Sequence, residues 1–120
     1  MKNSDAYTTI KDLRTKIEKF VKDREWEKYH NPKDLAESIC IEAAELLEIF
    51  QWMSVEEALS LRENPTELDR VTEELADILI YCLSMTNAME IEVSSIVAEK
   101  LARNGIKYSV EKYKGRARLR

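Results

Sequence analysis

Glycine and proline are nearly missing, with two of each in 120 residues. Short strands joined by tight turns draw on both, so their scarcity argues against a turn-rich β architecture and for helices. Long apolar runs are missing too. No stretch reaches the roughly 18 to 20 residues that a membrane-spanning helix needs, and "MKNSDAYTTI" at the start lacks the apolar run of a secretory signal. The expectation is a cytoplasmic protein without a membrane segment. Its two cysteines, Cys40 and Cys82, each lie in an apolar helix-like run with no Cys-x-x-Cys, and read as reduced thiols. Histidine occurs once, as His30 in a connection, which excludes a di-iron bundle built on Glu-x-x-His pairs. One further absence is local: no basic residue lies between Asp34 and Arg62.

What is present fits one helical domain with a modest core. Ile10, Leu13, Ile17, Phe20 and Val21 recur at helical spacing, and predict an amphipathic helix over about 5–28. "YHNPKDL" interrupts it. Asn31 caps a second helix over about 32–52, because Pro32 keeps it out of helical geometry. Ser54 and Glu57 form a capping box for a short helix ending near Arg62. A long helix follows over about 66–88, and its centre, "LADILIYCLSM", is apolar nearly all round. Such a helix is buried on several sides, and in so small a chain a partner subunit is a natural cover. A last helix is expected over about 92–104, with Gly105 as its stop. The fold class is therefore all-α, four main helices plus a short one.

Charge is divided unevenly along the chain. Residues 1–99 carry 11 Lys and Arg against 22 Asp and Glu, whereas residues 100–120 carry eight basic residues against Glu111 alone. The domain is read as 1–108 and the basic segment 109–120 as a flexible tail.

Within the second helix, Glu42, Glu45 and Glu48 follow one another at intervals of three. Neighbouring like charges destabilise a helix by a few tenths of a kcal/mol per pair, and no Lys or Arg nearby offsets them. Glu74 and Asp77, also three apart, border the most apolar part of the long helix. Four carboxylates on two helices are hard oxygen ligands suited to Mg²⁺ or Mn²⁺. A solvated acidic face is the plainer account of the same charges.

"IEAAELLEIFQW" at 41–52 followed by "EELADILIYCL" at 73–83 resembles the MazG-like nucleotide pyrophosphohydrolases of the all-α NTP pyrophosphatase superfamily. The likeness is to the small dCTP pyrophosphatase branch. The family pattern is Glu-x-x-Glu, a gap, then Glu-x-x-Asp; here 28 residues separate Glu45 from Glu74. "REWEKYHNPKDL" at 24–35 and "EKLARNGIKY" at 99–108 extend the resemblance on both sides. Two positions depart from it: Ile41 stands where many members have a further glutamate, and Ser109 where a proline often follows the tyrosine.

The resemblance implies Mg²⁺-dependent hydrolysis of nucleoside triphosphates between the α and β phosphates, in nucleotide-pool house-cleaning. It implies Glu42, Glu45, Glu74 and Asp77 as the metal ligands, with Glu42 or Glu45 also acting on the attacking water. Glu48 is left to a solvated or supporting role. Trp26 and Trp52 match base-binding aromatics, and each has core packing as its alternative. Tyr81 either reaches the sugar or caps the core. Lys100 and Lys107 match phosphate contacts, with Arg103 a weaker one; Asn104 donates to a phosphate or the sugar, and Tyr108 matches a further substrate-binding position; solvated helix residues and a helix cap are the alternatives. His30 is read as capping or packing. The family resemblance further implies a homodimer or homotetramer with pockets formed between subunits.

A rival reading is a non-enzymatic helical module that binds nucleic acid through "KYKGRARLR". The absence of a recognisable reader motif and the acidic body argue against it. A nucleotide-binding relative without turnover is the third reading, against which the intact carboxylate set stands.

Overall fold

The computed structural model describes residues 3–117. Among them are six α-helices, two short 3₁₀ turns and no strand: α1 (Ile10–Asp23), α2 (Pro32–Phe50), α3 (Val55–Ser60), α4 (Pro65–Ala88), α5 (Val93–Lys107) and α6 (Val110–Tyr113). The all-α expectation holds. None of these helices is long and apolar enough to cross a membrane. The chain divides into two compact units, Met1–Glu90 and Ile91–Arg120.

In the first unit, local chemistry sets the helix starts. Asn31 accepts the Asp34 N–H at 3.0 Å and caps α2, with Pro32 in the first turn. Ser54 and Glu57 form the expected capping box of α3. Asn64 accepts the Glu67 N–H at 3.3 Å, so α4 begins at Pro65.

The expected extent of α1 is corrected at both ends. Thr9 and Asp12 form a reciprocal cap, with bonds of 3.0 and 2.9 Å, and start the helix five residues later than its periodicity indicates. At the other end Glu25 takes the left-handed conformation, φ 53°, which a helix cannot accommodate. A 3₁₀ turn, Glu27–Tyr29, then carries the chain to α2. Helix α2 itself ends at Phe50, two residues short of Trp52.

α2 packs chiefly against α4, and α1 packs against α4. Val21, Leu35, Ile49 and Leu61 are the buried apolar side chains, Leu35 almost completely. Arg14 and Asn87 bind α1 to the end of α4: the guanidinium donates to Asn87 Oδ1 at 2.9 Å, and the Asn87 amide donates to the Arg14 carbonyl at 3.0 Å. On α4, Leu75, Leu79 and Ile80 remain exposed in the single chain.

In the second unit, α5 continues to Lys107, so Gly105 is not its stop. Gly105 has no positive φ. A glycine inside an exposed helix costs only about 1 kcal/mol relative to alanine, and the Tyr108 N–H closes the last turn on the Asn104 carbonyl at 2.7 Å. Tyr108 then stacks edge-on against Tyr113 of α6, with ring centres 5.3 Å apart. The glycine that does need its freedom is Gly115, at φ 80°. Of the segment read as a basic tail, residues 118–120 lie outside the described residues.

Candidate active site

The 3.6-residue period brings Glu42 and Glu45 to one side of α2, and Glu74 and Asp77 to one side of α4. Because these two helices pack together, three of the carboxylates converge. Glu42, Glu45 and Glu74 each offer an oxygen within 4.8 Å of the others. Asp77 is not in this tight group. It lines an adjoining cavity with Trp26 and Tyr81, and its charge still acts on Glu42.

Electrostatically the cluster is uncompensated. None of the ion pairs among the described residues includes its members. The Glu42 pKa is pushed up from 4.5 to about 7, first by its hydrogen bond with Glu74, then by loss of solvent and by Glu45 and Asp77. For Glu74 the bond with Glu42 works downward, but desolvation, Glu45 and Asp77 outweigh it and the net shift is upward. Glu74 Oε2 is buried without a hydrogen-bond partner. A buried carboxylate oxygen in that state is costly unless a proton or a cation reaches it. The donor set is all oxygen from closely spaced carboxylates, which fits a hard divalent ion.

Beside this cluster is a cavity of about 370 Å³, within the usual range of small-molecule sites, roughly 300–1,000 Å³. α1 contributes Lys16, Ile17 and Phe20 to its wall, and α4 contributes Asp77, Ile80 and Tyr81. Trp26 completes it because the turn at Glu25 folds the chain back, and the Trp26 N–H donates to the Val21 carbonyl at 3.0 Å. The indole meets Phe20 edge-on, ring centres 5.9 Å apart. Burial, then the charges of Glu42 and Asp77, push the Tyr81 pKa up from 10.0, so its hydroxyl remains a donor at neutral pH.

His30 lies in the same wall, its Nδ1 2.8 Å from Ser84 Oγ and its ring 6.2 Å from that of Tyr81. A smaller recess of about 230 Å³ is lined by Glu45 and Glu74 of the cluster together with Glu48, Glu73 and Arg70.

The remaining expected positions are not brought to this cavity within the first unit. Trp52 is 88% exposed just beyond α2. Lys100, Asn104, Lys107 and Tyr108 belong to the second unit. There Lys100 is exposed, Asn104 is half-buried, and the Lys107 ammonium lies 5.2 Å from the Tyr108 ring centre. Sequence reasoning overlooked Phe20, Lys16, Ile17 and Ile80 as cavity residues and Arg70 beside the acids. Phe20 and Ile17 were visible only as members of an apolar stripe. For Arg70 the available signal was its place one turn before Glu74.

Residues 37–118 match the model of the MazG-like family. The chain belongs to the MazG-like family. Among curated MazG-like relatives, dCTP pyrophosphatase 1 of Bos taurus is 33% identical over 91% of this chain and 64% of its own length. The Homo sapiens protein of that name is 31% identical over 83% of this chain and 59% of its own length. The chain thus spans under two thirds of these relatives. A solved structure of a pyrophosphatase from Archaeoglobus fulgidus shares 41% identity with a TM-score of 0.76, covering 90% of this chain and 99% of that one. The structural match, unlike the curated relatives, is nearly equal in extent to this chain.

Proposed function

We propose that this chain is a nucleotide pyrophosphohydrolase that cleaves deoxynucleoside triphosphates between the α and β phosphates, releasing the monophosphate and pyrophosphate. The observation that carries this reading is the unpartnered, buried Glu74 oxygen in a three-carboxylate cluster that adjoins an aromatic-walled cavity. The names of the relatives, dCTP pyrophosphatase and pyrophosphatase, point to the same bond class.

Glu42, Glu45 and Glu74, with Asp77 at the cavity edge, hold Mg²⁺ or Mn²⁺. An ion held there would supply neutralisation of the polyphosphate and stabilisation of charge on the departing pyrophosphate. The chain's own groups supply the rest. Glu42 or Glu45 accepts the proton of the attacking water. Trp26 covers one face of the nucleobase, and the Tyr81 hydroxyl donates to the sugar. Lys100 and Lys107 bind the phosphates, Asn104 donates to a phosphate or the sugar, and Tyr108 is a further substrate contact.

A homodimer or a pair of dimers completes the site. The exposed apolar residues of α4 support a covering subunit, and the exposed Trp52 supports a base contact made across that interface. Such an enzyme acts in the cytoplasm, clearing unwanted deoxynucleotides from the pool. The deciding experiment incubates the protein with a panel of dNTPs and base-modified dNTPs and Mg²⁺ or Mn²⁺, scoring pyrophosphate and orthophosphate separately. Pyrophosphate without orthophosphate is expected from at least one member. Orthophosphate alone would place the cut at the γ phosphate, and no product from any member would end the enzyme reading.

A further inference from the structure

His30 stands between two cavities. It lines the cavity of about 370 Å³ that holds Trp26 and Tyr81, and also a second cavity of about 280 Å³ bordered by Glu18, Lys22 and Asn87. Val21 is the other residue common to both. Val21 is buried in the core at 7% exposure and cannot move without disturbing it. The imidazole, by contrast, is only partly buried and is fixed by a single side-chain bond, from Nδ1 to Ser84 Oγ at 2.8 Å.

Ser84 is 4% exposed on α4, and His30 is the one side chain it bonds among the described residues. Burial lowers the His30 pKa from 6.5. The ring is therefore neutral at pH 7, and a neutral imidazole shares a hydrogen bond with a hydroxyl in either tautomer. Turned away from its serine, the ring would give up the one side-chain bond that Ser84 makes. The imidazole is thus held as a partition.

Resting on the pyrophosphohydrolase reading above, we propose that His30, held by Ser84, is the back wall of the nucleobase cavity and sets the size of base admitted. Trp26 and Tyr81 grip the base from the near side, and His30 meets its far edge. With His30 in place, a bulky group on the base collides with the ring. Without it, the two cavities join, and the group enters the recess bordered by the Glu18–Lys22 ion pair, 2.9 Å long. His30 is then a specificity residue acting by volume, and Ser84 is a positioning residue acting through it.

The test compares wild type, His30→Ala, His30→Phe and Ser84→Ala, each first checked for unchanged helical circular dichroism. For the preferred dNTP and for analogues carrying a propynyl-sized group at the ring carbon or the exocyclic nitrogen, kcat and KM are measured by pyrophosphate release. Binding of the matching monophosphates is followed in parallel by tryptophan fluorescence. In His30→Ala the ratio of kcat/KM for at least one bulky analogue over the parent rises roughly tenfold or more, mainly through KM, the scale of discrimination by pocket volume. Ser84→Ala raises it less, and His30→Phe, which restores bulk without the hydrogen bond, returns it toward wild type. A ratio within twofold of wild type for every analogue in His30→Ala overturns the proposal while leaving the enzyme reading intact. A wild type that neither cleaves nor binds any nucleotide overturns both.

Discussion

At Glu42 the crowding of like charges that a cation relieves also makes the folded chain sensitive to pH. The carboxyl titrates at 4.5 in an open chain and at about 7 here, and Glu74 is shifted the same way. Between those values the folded state holds more protons than the unfolded one, so stability falls as pH rises through this window and levels above it. The metal-free protein in EDTA should lose melting temperature from about pH 5 to about pH 8. Mg²⁺ should restore it at the alkaline end, and Glu42→Gln should flatten the slope while cutting turnover about a hundredfold or more. Scanning fluorimetry across pH reads the first part, and a melting temperature that is constant or climbs over that range would refute it. Trp26 allows a separable test. Base stacking on an aromatic contributes about 1–3 kcal/mol, so Trp26→Ala should raise KM roughly tenfold and change kcat far less. An unchanged KM in steady-state kinetics would remove the indole from the base site.

Helix ends show which signals a sequence carries openly. Asn31, Ser54 and Glu57 were legible as caps because a cap is a contact three residues long, and the structure contains each. The Thr9–Asp12 box has the same geometry with a shorter acid, and a stripe of apolar residues alone does not reveal it. Gly105 misled for the opposite reason: glycine at a helix end is a frequency, and here α5 runs through it. The left-handed residues are invisible to pattern reading, because Glu25 and Glu90 are not the residue types that favour φ near 53° and 54°. Glu90 follows the last turn of α4, the position where glycine is preferred. Glu90→Gly should therefore stabilise the fold by about 1 kcal/mol, observed as a higher midpoint in urea with an unchanged slope. A lower midpoint would mean that the glutamate side chain contributes more than its backbone strain costs.

On the scale of the whole chain, the carboxylate set was legible in part: Glu42 and Glu45 are an i, i+3 pair that meets Glu74, whereas Asp77, read with Glu74 as the second pair, lines the adjoining cavity instead. That cavity was not legible, because Phe20, Trp26 and Tyr81 meet only through the turn at Glu25 and the packing of α1 on α4. The over-apolar run in α4 was legible as a surplus, and the single chain indeed leaves Leu75, Leu79 and Ile80 exposed at 44, 55 and 42%. An apolar surface of this kind on a helix otherwise packed into the bundle is what an obligate interface uses. Leu79 separates assembly from folding, since it lies on that exposed surface and does not line the aromatic cavity. A charge placed there costs the isolated chain little but is buried unpaired in a dimer, a penalty of several kcal/mol. Sedimentation equilibrium at micromolar concentration should find wild type as a dimer or larger and Leu79→Glu as a monomer with its helical dichroism retained. Pyrophosphate release should fall with assembly if Trp52 reaches the base from a second subunit, and Trp52→Ala should then raise KM in the intact oligomer. A monomeric wild type with full activity would show that one chain holds the complete site, and that the exposed side of α4 serves no second copy of it.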